Sequence, residues 1–195
     1  MKTLQVKLTF IREILGTASS NPEIHREFIA SKAPDAKSTE EEVAALGVDE
    51  VADKAMTIFP KLDGVPFLRD YQIKGFFKDA CSMLNRVKDT KSGKLKAFKK
   101  VIDGLVMIEP EKLMFNMVGE MGNCQRPLRA QTAQGERIAL ANSDSNSRQS
   151  SVTFDIVLLE ESLEPVVREW LDYGKYRGLG QWRNSGCGRF TWELL

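Results

Sequence analysis

The sequence predicts an α+β fold that is built on one antiparallel sheet. Segments in which apolar residues recur at every second position stand near both ends of the chain. Segments with a spacing of three and four lie between them, and proline or glycine marks the connections. A period of two is typical of strands with one buried face, and the longer spacing is typical of amphipathic helices. Both patterns in one short chain favour helices packed on a sheet.

Four strands, one of them in two pieces, follow from the alternation and from the breaks in it. The stretches "TLQVKLTFI" and "SSVTFDIVLL" alternate regularly, and so do residues 190–194. Apolar runs at 104–108 and 113–118 flank Glu109 and Pro110. Because proline interrupts the hydrogen bonding of a strand, these two runs predict two short strand pieces with a kink.

Two helices are predicted between the strands. Residues 70–87 carry one apolar face, which predicts a core helix. Phe76 and Phe77 are neighbours on it, so we expect only one of them to face the core fully. In "SLEPVVREWLDYG" the apolar residues follow helical spacing, Pro165 stands in the first turn, and Gly174 is placed to end the helix.

The resulting order is β-α-β-β-α-β, the arrangement of the ferredoxin-like (RRM-like) core, with two helices on one face of the sheet. The open face of such a sheet is commonly a platform for single-stranded nucleic acid. We expect a single domain over residues 1–195 with two large insertions, residues 16–66 and 119–150. The first contains an acidic helix in "STEEEVAALGVDEVADKA", and the second a long hairpin or loop. The lysine-rich residues 86–100 are expected to form a mobile loop, which either tracks phosphates or serves solubility.

Composition excludes several classes of function. The net charge of +1 gives no general attraction to nucleic acid, so a polyanion would need a local basic patch. No apolar stretch is long enough to span a bilayer, and the chain starts like a strand, so we expect a cytoplasmic protein without membrane contact. The three cysteines lack metal-ligand or disulfide spacing and are expected to be reduced thiols. We expect neither a metal nor a cofactor.

The stretch "GLGQWRNSGCGR" is the strongest candidate site. Glycine permits positive φ and lets a polymer approach the backbone closely, while arginine supplies charge and Trp182 or Tyr176 a stacking surface. The alternative is a glycine-rich connection around a buried tryptophan. The nucleic-acid-binding residues predicted from this stretch are Arg177, Gly178, Gly180, Trp182, Arg183, Gly186, Gly188 and Arg189, with Lys74 and Lys78 of the first helix as secondary candidates.

"GLGQWRNSGCGRF" also resembles the glycine-rich loop of the RAMP superfamily, the RNA-binding proteins of CRISPR systems, in particular of the backbone subunits that coat guide RNA. "DYQIKGFFKDACSML", "VIDGLVMIEP" and "ILGTASSN" are similar to the first core helix, the second strand and the first turn of these subunits. The resemblance covers the sheet and the helices, but neither residues 22–66 nor 119–150. "HREFIASKAPDAKSTEEE" looks like an uncharacterised protein carried by bacteriophages.

The resemblance implies a non-catalytic protein that binds single-stranded RNA without sequence specificity and associates with itself along the RNA. A phage member would mimic or sequester a component of a host CRISPR effector. If the 119–150 segment protrudes, it would resemble the thumb-like insertion of these subunits. Four arginines of that segment would then face the strand, namely Arg126, Arg129, Arg137 and Arg148.

Two alternatives stay open. The family's type III members cleave RNA with an aspartate after the first strand, but here Asn21 stands at the matching position, with Glu23 close by. His25, the only histidine, is a candidate general base for a RAMP-type endoribonuclease. The second alternative is an anti-defence protein that binds a protein partner or a small nucleotide.

Overall fold

The computed structural model describes residues 1–19, 56–132 and 135–195, with side chains left aside at 19, 128–132 and 135–140. The chain divides into two compact units. The core unit comprises Met1–Ile14, Pro60–Glu120 and Asn146–Leu195. The hairpin unit comprises Leu15–Phe59 and Met121–Ser145.

The core unit contains the predicted sheet. The strands are numbered along the chain, and β2, β3, β4, β9 and β10 belong to the other sheet. The strands of this sheet are β1 (Lys2–Phe10), β5 (Lys61–Leu62), β6 (Val65–Arg69), β7 (Val106–Glu109), β8 (Lys112–Asn116), β11 (Ser151–Leu158) and β12 (Phe190–Leu194). The strand order is β12-β1-β11-β8-β6-β5, and β7 also pairs with β11. Strand β1 is antiparallel to both neighbours, with Leu8 opposite Val152 on one side and Trp192 on the other.

Three helices lie in the core unit as described: α1 (Asp70–Leu84), α2 (Phe98–Leu105) and α3 (Glu164–Arg177). Helices α1 and α3 alternate with the strands in the order β-α-β-β-α-β, which is β1, α1, the pair of β7 and β8, β11, α3 and β12. The predicted α+β class with a ferredoxin-like core and insertions is therefore confirmed. Trp170 of α3 is fully buried and packs on Phe77 of α1, with ring centroids 5.4 Å apart.

The apolar face of α1 differs from the prediction in two respects. The helix ends at Leu84, so Val87 lies beyond it and is exposed, and Met83 in its last turn is exposed as well. Phe76 and Phe77 are both buried, so the expectation that only one could face the core is wrong. The reason is that Phe76 packs on Phe190 of the sheet, whereas Phe77 packs on α3.

Helix α3 does not end at Gly174 but continues to Arg177. A Cβ on Gly174 would lie 2.2 Å from the Phe190 ring, so this glycine serves the packing of the helix on β12. The prediction of a loop over residues 86–100 is also partly wrong. Ser92–Lys94 form a 3-10 turn, and α2 begins at Phe98.

The hairpin unit contains the long hairpin that was one of the two predictions for residues 119–150. Strands β9 (Gly122–Thr132) and β10 (Gly135–Asn146) pair antiparallel, with Ser143 opposite Cys124. The rest of this sheet follows the order β2-β10-β4-β3, where β2 is Ile14–Leu15, β3 is Ala18–Ser19 and β4 is Thr57–Ile58. The predicted acidic helix lies outside the described residues. The single domain and the limits of its insertions stay predictions.

Two smaller predictions concern membranes and thiols. In the described ranges, no helix is long and apolar enough to cross a bilayer. None of the three cysteines forms a disulfide, in agreement with the predicted reduced thiols, and burial raises the pKa of the Cys81 thiol.

Candidate functional site

The glycine-rich stretch forms the connection from α3 to β12, which we call the glycine loop (residues 178–189). Helix α3 ends where Gly178 takes a φ of 76°. Gly180, Gly186 and Gly188 have φ values of 77°, 87° and 71°. All four predicted glycines therefore occupy the left-handed region, in which a side chain is strained.

The two ends of the glycine loop lie against each other. A Cβ on Gly188 would lie 1.8 Å from the carbonyl oxygen of Leu179, and a Cβ on Gly178 would lie 2.6 Å from that of Cys187. The backbone N–H of Leu179 donates to the Gly188 oxygen at 2.9 Å, and the Gly188 N–H donates to Glu13 at 2.7 Å. Gly178 and Gly188 are thus needed for the packing of the loop itself. The prediction that a ligand approaches the glycine backbone closely therefore applies only to Gly180 and Gly186.

Two of the predicted arginines are held by a carboxylate of α1. Asp79 Oδ2 accepts hydrogen bonds from Arg177 Nε at 2.7 Å and from Arg183 Nη1 at 2.9 Å. Arg177 also donates to Asn184 Oδ1 at 2.9 Å. The hydrogen bond that Arg177 donates to Asp79 raises the pKa of Arg177. Both arginines therefore brace the loop against α1. That they also contact phosphates stays a prediction.

Arg189 is held differently. Its backbone oxygen accepts from the N–H of Ile11 at 2.9 Å, which joins the end of the loop to β1. Its half-buried side chain lies beside Gly186, whose added Cβ would be 3.4 Å from the guanidinium carbon. Among the described residues, the buried Nε of Arg189 has no hydrogen-bond acceptor. A buried donor without an acceptor is costly unless another group satisfies it.

Trp182 stands at the start of a 3-10 turn, Arg183–Ser185, and is 44% exposed. The buried tryptophan of the alternative interpretation is therefore absent at this position. The Trp182 backbone has a φ of 53°, which is uncommon for a bulky residue and is strained. Tyr176, at the end of α3, is 62% exposed, and Lys175 Nζ lies 5.0 Å from its ring centroid. Two exposed aromatic rings thus accompany the arginines.

The secondary candidates Lys74 and Lys78 lie on another side of α1. Lys78 pairs with Asp103 of α2 at 2.5 Å, and Lys74 Nζ is 3.4 Å from the Met107 sulfur. Both side chains point toward α2 and β7, whereas Asp79 points to the glycine loop.

The candidate nuclease residues Asn21, Glu23 and His25 lie outside the described residues. Within the described part of the chain, no group of three His, Cys, Asp or Glu side chains is placed to hold a metal ion.

Sequence reasoning missed Asp79 and Glu169. Glu169 of α3 accepts hydrogen bonds from the backbone N–H groups of Lys91 at 2.8 Å and Ser92 at 2.9 Å, and from Ser92 Oγ at 2.5 Å. Burial acts to raise the pKa of this carboxyl, but the hydrogen bonds from Ser92 and Lys91 outweigh it and hold the pKa below its ordinary value. In a sequence, a single carboxylate on a helix is indistinguishable from a solvent-exposed one. The contacts of Asp79 and Glu169 are visible only in the folded structure.

No family model matches the sequence, and no curated protein matches it. Among solved structures, a chain of the "Cryo-EM structure of the Type III-B Cmr-beta bound to cognate target RNA" is similar, with a TM-score of 0.51 and 14% identity. The similarity covers 100% of this chain and 59% of that chain, so the protein spans little more than half of that chain's length. At this identity the match shows a common fold.

Proposed function

We propose that the protein binds single-stranded RNA without sequence specificity and without catalysis, as a RAMP-type protein, and that the glycine loop holds the RNA backbone. Trp182 carries the proposal. A left-handed backbone favours glycine at this position, yet the chain has a tryptophan here, and the residue is 44% exposed. Strain of this kind clusters at binding sites, and an exposed ring offers a stacking surface to any base.

The charge around Trp182 suits a phosphate backbone. Arg177 and Arg183 share one carboxylate, Asp79, and Lys175 and Arg189 add two further positive charges within the same stretch of sequence. A guanidinium has five N–H donors, and the bonds of Arg177 and Arg183 described above leave several for a ligand.

The common fold adds support, because the similar chain comes from a complex described as bound to target RNA. The family resemblance suggests three further hypotheses. The partner would be a CRISPR effector or another host defence protein, the protein would associate with itself along RNA, and it would be located in the cytoplasm. A phage origin and an action against host defence are hypotheses that rest on the resemblance alone.

The test is fluorescence anisotropy with a labelled, unstructured RNA at several salt concentrations. Loss of one stacked base costs about 1–3 kcal/mol, so Trp182→Ala is expected to weaken binding about 5- to 150-fold, whereas Trp182→Tyr retains most of the affinity. Arg189→Gln is expected to reduce the slope of log affinity against log salt by about 0.7, the value for one phosphate contact with a single strand.

Two exposed residues of the core unit supply matched controls. Tyr71→Ala removes an aromatic ring that is 64% exposed, and Lys61→Gln removes an exposed charge. Neither is expected to change affinity. If wild-type protein does not bind RNA at low salt, or if Trp182→Ala binds as well as wild type, the proposed function is wrong. Cleavage of the RNA that is lost in His25→Ala would instead favour the endoribonuclease.

A further inference from the structure

A second basic surface lies outside the glycine loop. Residues 85–100, which we call the basic segment, contain seven basic residues against one acidic residue, Asp89, a net charge of +6. Since the whole chain carries +1, all other residues together carry −5. The seven basic residues are all exposed, namely Arg86, Lys88, Lys91, Lys94, Lys96, Lys99 and Lys100. No carboxylate of a described residue lies within ion-pairing distance of them.

The basic segment has a fixed shape. Glu169 holds the backbone of Lys91 and Ser92, and Ser92 is fully buried and accepts a hydrogen bond from Trp170 Nε1 at 3.0 Å. Thr90 Oγ1 donates to the Leu84 oxygen at 2.8 Å and accepts from Gly93 N–H at 3.1 Å. The lysines are therefore presented from an ordered turn, which lowers the entropic cost of binding a polyanion.

Helix α3 joins the basic segment to the glycine loop. Glu169, which holds the segment, and Arg177, which holds the loop, are eight residues apart on this helix. At 1.5 Å per residue their Cα atoms are separated by about 12 Å along the helix axis. Tyr173 and Tyr176 lie on the intervening turns, with ring centroids 6.5 Å apart. Basic groups at both ends and aromatic rings between them are the pattern of a groove for single-stranded nucleic acid.

The open face of the sheet has the opposite character. On β1, β7, β11 and β12 its side chains include one basic residue, Lys7, which pairs with Glu193 at 2.9 Å. Asp155 and Glu109 lie opposite each other on the same face. No aromatic side chain stands at the outward positions of these four strands. Over these four strands the face is acidic and lacks stacking groups, so this part of the sheet does not suit a polyanion.

We propose that the basic segment is a second phosphate-binding surface, and that one RNA strand runs from the glycine loop along α3 to this segment, on the helix side of the core unit. The inference rests on the proposed function, because it extends the same RNA beyond the loop. It assigns Lys94, the last residue of the anchored turn, and Lys96, two residues further on, to contacts with the RNA backbone.

The test compares Lys94→Gln/Lys96→Gln with the control Lys7→Gln/Lys61→Gln, which removes the same charge elsewhere in the core unit. Anisotropy is measured with oligouridine of about 20 nucleotides and with a short oligouridine of about 5, near the low end of single-strand site sizes. For the long strand, the Lys94/Lys96 variant is expected to lower the salt slope by about 1.4, for two contacts, and to weaken binding severalfold. For the short strand, and for the control variant, wild-type affinity is expected.

The outcomes separate the two proposals. If the Lys94/Lys96 variant matches wild type on the long strand while Trp182→Ala weakens binding, the second surface is refuted and the proposed function stands. If only the Lys94/Lys96 variant loses affinity, the path through the glycine loop is refuted. If polyglutamate binds the basic segment as tightly as RNA does, the surface belongs to an acidic protein partner and the RNA path is wrong.

Discussion

Gly188→Ala tests the described geometry of the glycine loop most directly. The added Cβ would lie 1.8 Å from the Leu179 oxygen, and the φ of 71° strains any side chain. The loop must therefore open, and it would lose both the hydrogen bond from Leu179 N–H to the Gly188 oxygen and that from Gly188 N–H to Glu13.

The expected loss of stability is the sum of the backbone strain and the lost hydrogen bonds. A left-handed alanine costs about 1–2 kcal/mol, and each lost hydrogen bond costs about 1 kcal/mol more. We expect a loss of about 3–4 kcal/mol in the free energy of unfolding. For a chain of this size, that corresponds to a fall of about 6–16 °C in Tm.

Two other glycines provide a graded comparison. In Gly186→Ala the backbone is also left-handed, but the new Cβ meets only the Arg189 side chain, at 3.4 Å. We expect a loss of about 1–2 kcal/mol. In α1, a Cβ on Gly75 meets nothing within 4 Å, so Gly75→Ala should stabilise the protein by about 0.5–1 kcal/mol. Urea unfolding followed by tryptophan fluorescence measures all three. Equal losses for Gly188→Ala and Gly186→Ala would refute the close contact between the loop ends.

Two further predictions concern the carboxylates that hold the site. Asp79→Asn removes the ionic partner of Arg177 and Arg183, and we expect it to lower the free energy of unfolding in urea by about 1–2 kcal/mol. Because a negative charge leaves the site, the variant should also bind RNA more tightly at low salt. Weaker RNA binding by a folded variant would contradict this. Because the pKa of Glu169 is lower in the folded protein, its contribution is present above the unfolded pKa of about 4.3 and is lost as the pH falls through the folded pKa. Glu169→Gln should therefore cost about 1 kcal/mol at pH 7 and progressively less below pH 4, and a pH-independent difference would show that the charge is not involved.

Periodicity was sufficient to predict the elements that bury one regular face. In β1 and α3 the apolar residues are spaced as the buried face requires, so both were found from sequence. The sequence does not predict helix α2, because the helix has only eight residues and four of them are Lys, Asp or Gly. It also begins after Ala97, which has a left-handed backbone and no capping side chain. Sequence offers no start signal for such a helix.

The candidate site shows the same division. The glycine loop was placed correctly because it lies between two strongly patterned elements. The role of Gly178 and Gly188 in loop packing was not predictable, since it depends on contacts with Leu179 and Cys187 across the loop. The partner of Arg177 was equally hidden, because Asp79 lies almost a hundred residues earlier in the chain.

The position of β1 in the sheet has a consequence for biosynthesis. Its two neighbours, β11 and β12, begin only at Ser151 and Phe190. During translation the first strand therefore emerges with both edges unpaired, and it stays so until most of the chain has been made. Strands with unpaired edges are prone to associate with other chains, and sheets that depend on distant pairings fold slowly. The nascent chain is thus most exposed to aggregation before β11 emerges, when a chaperone would have its greatest effect on yield.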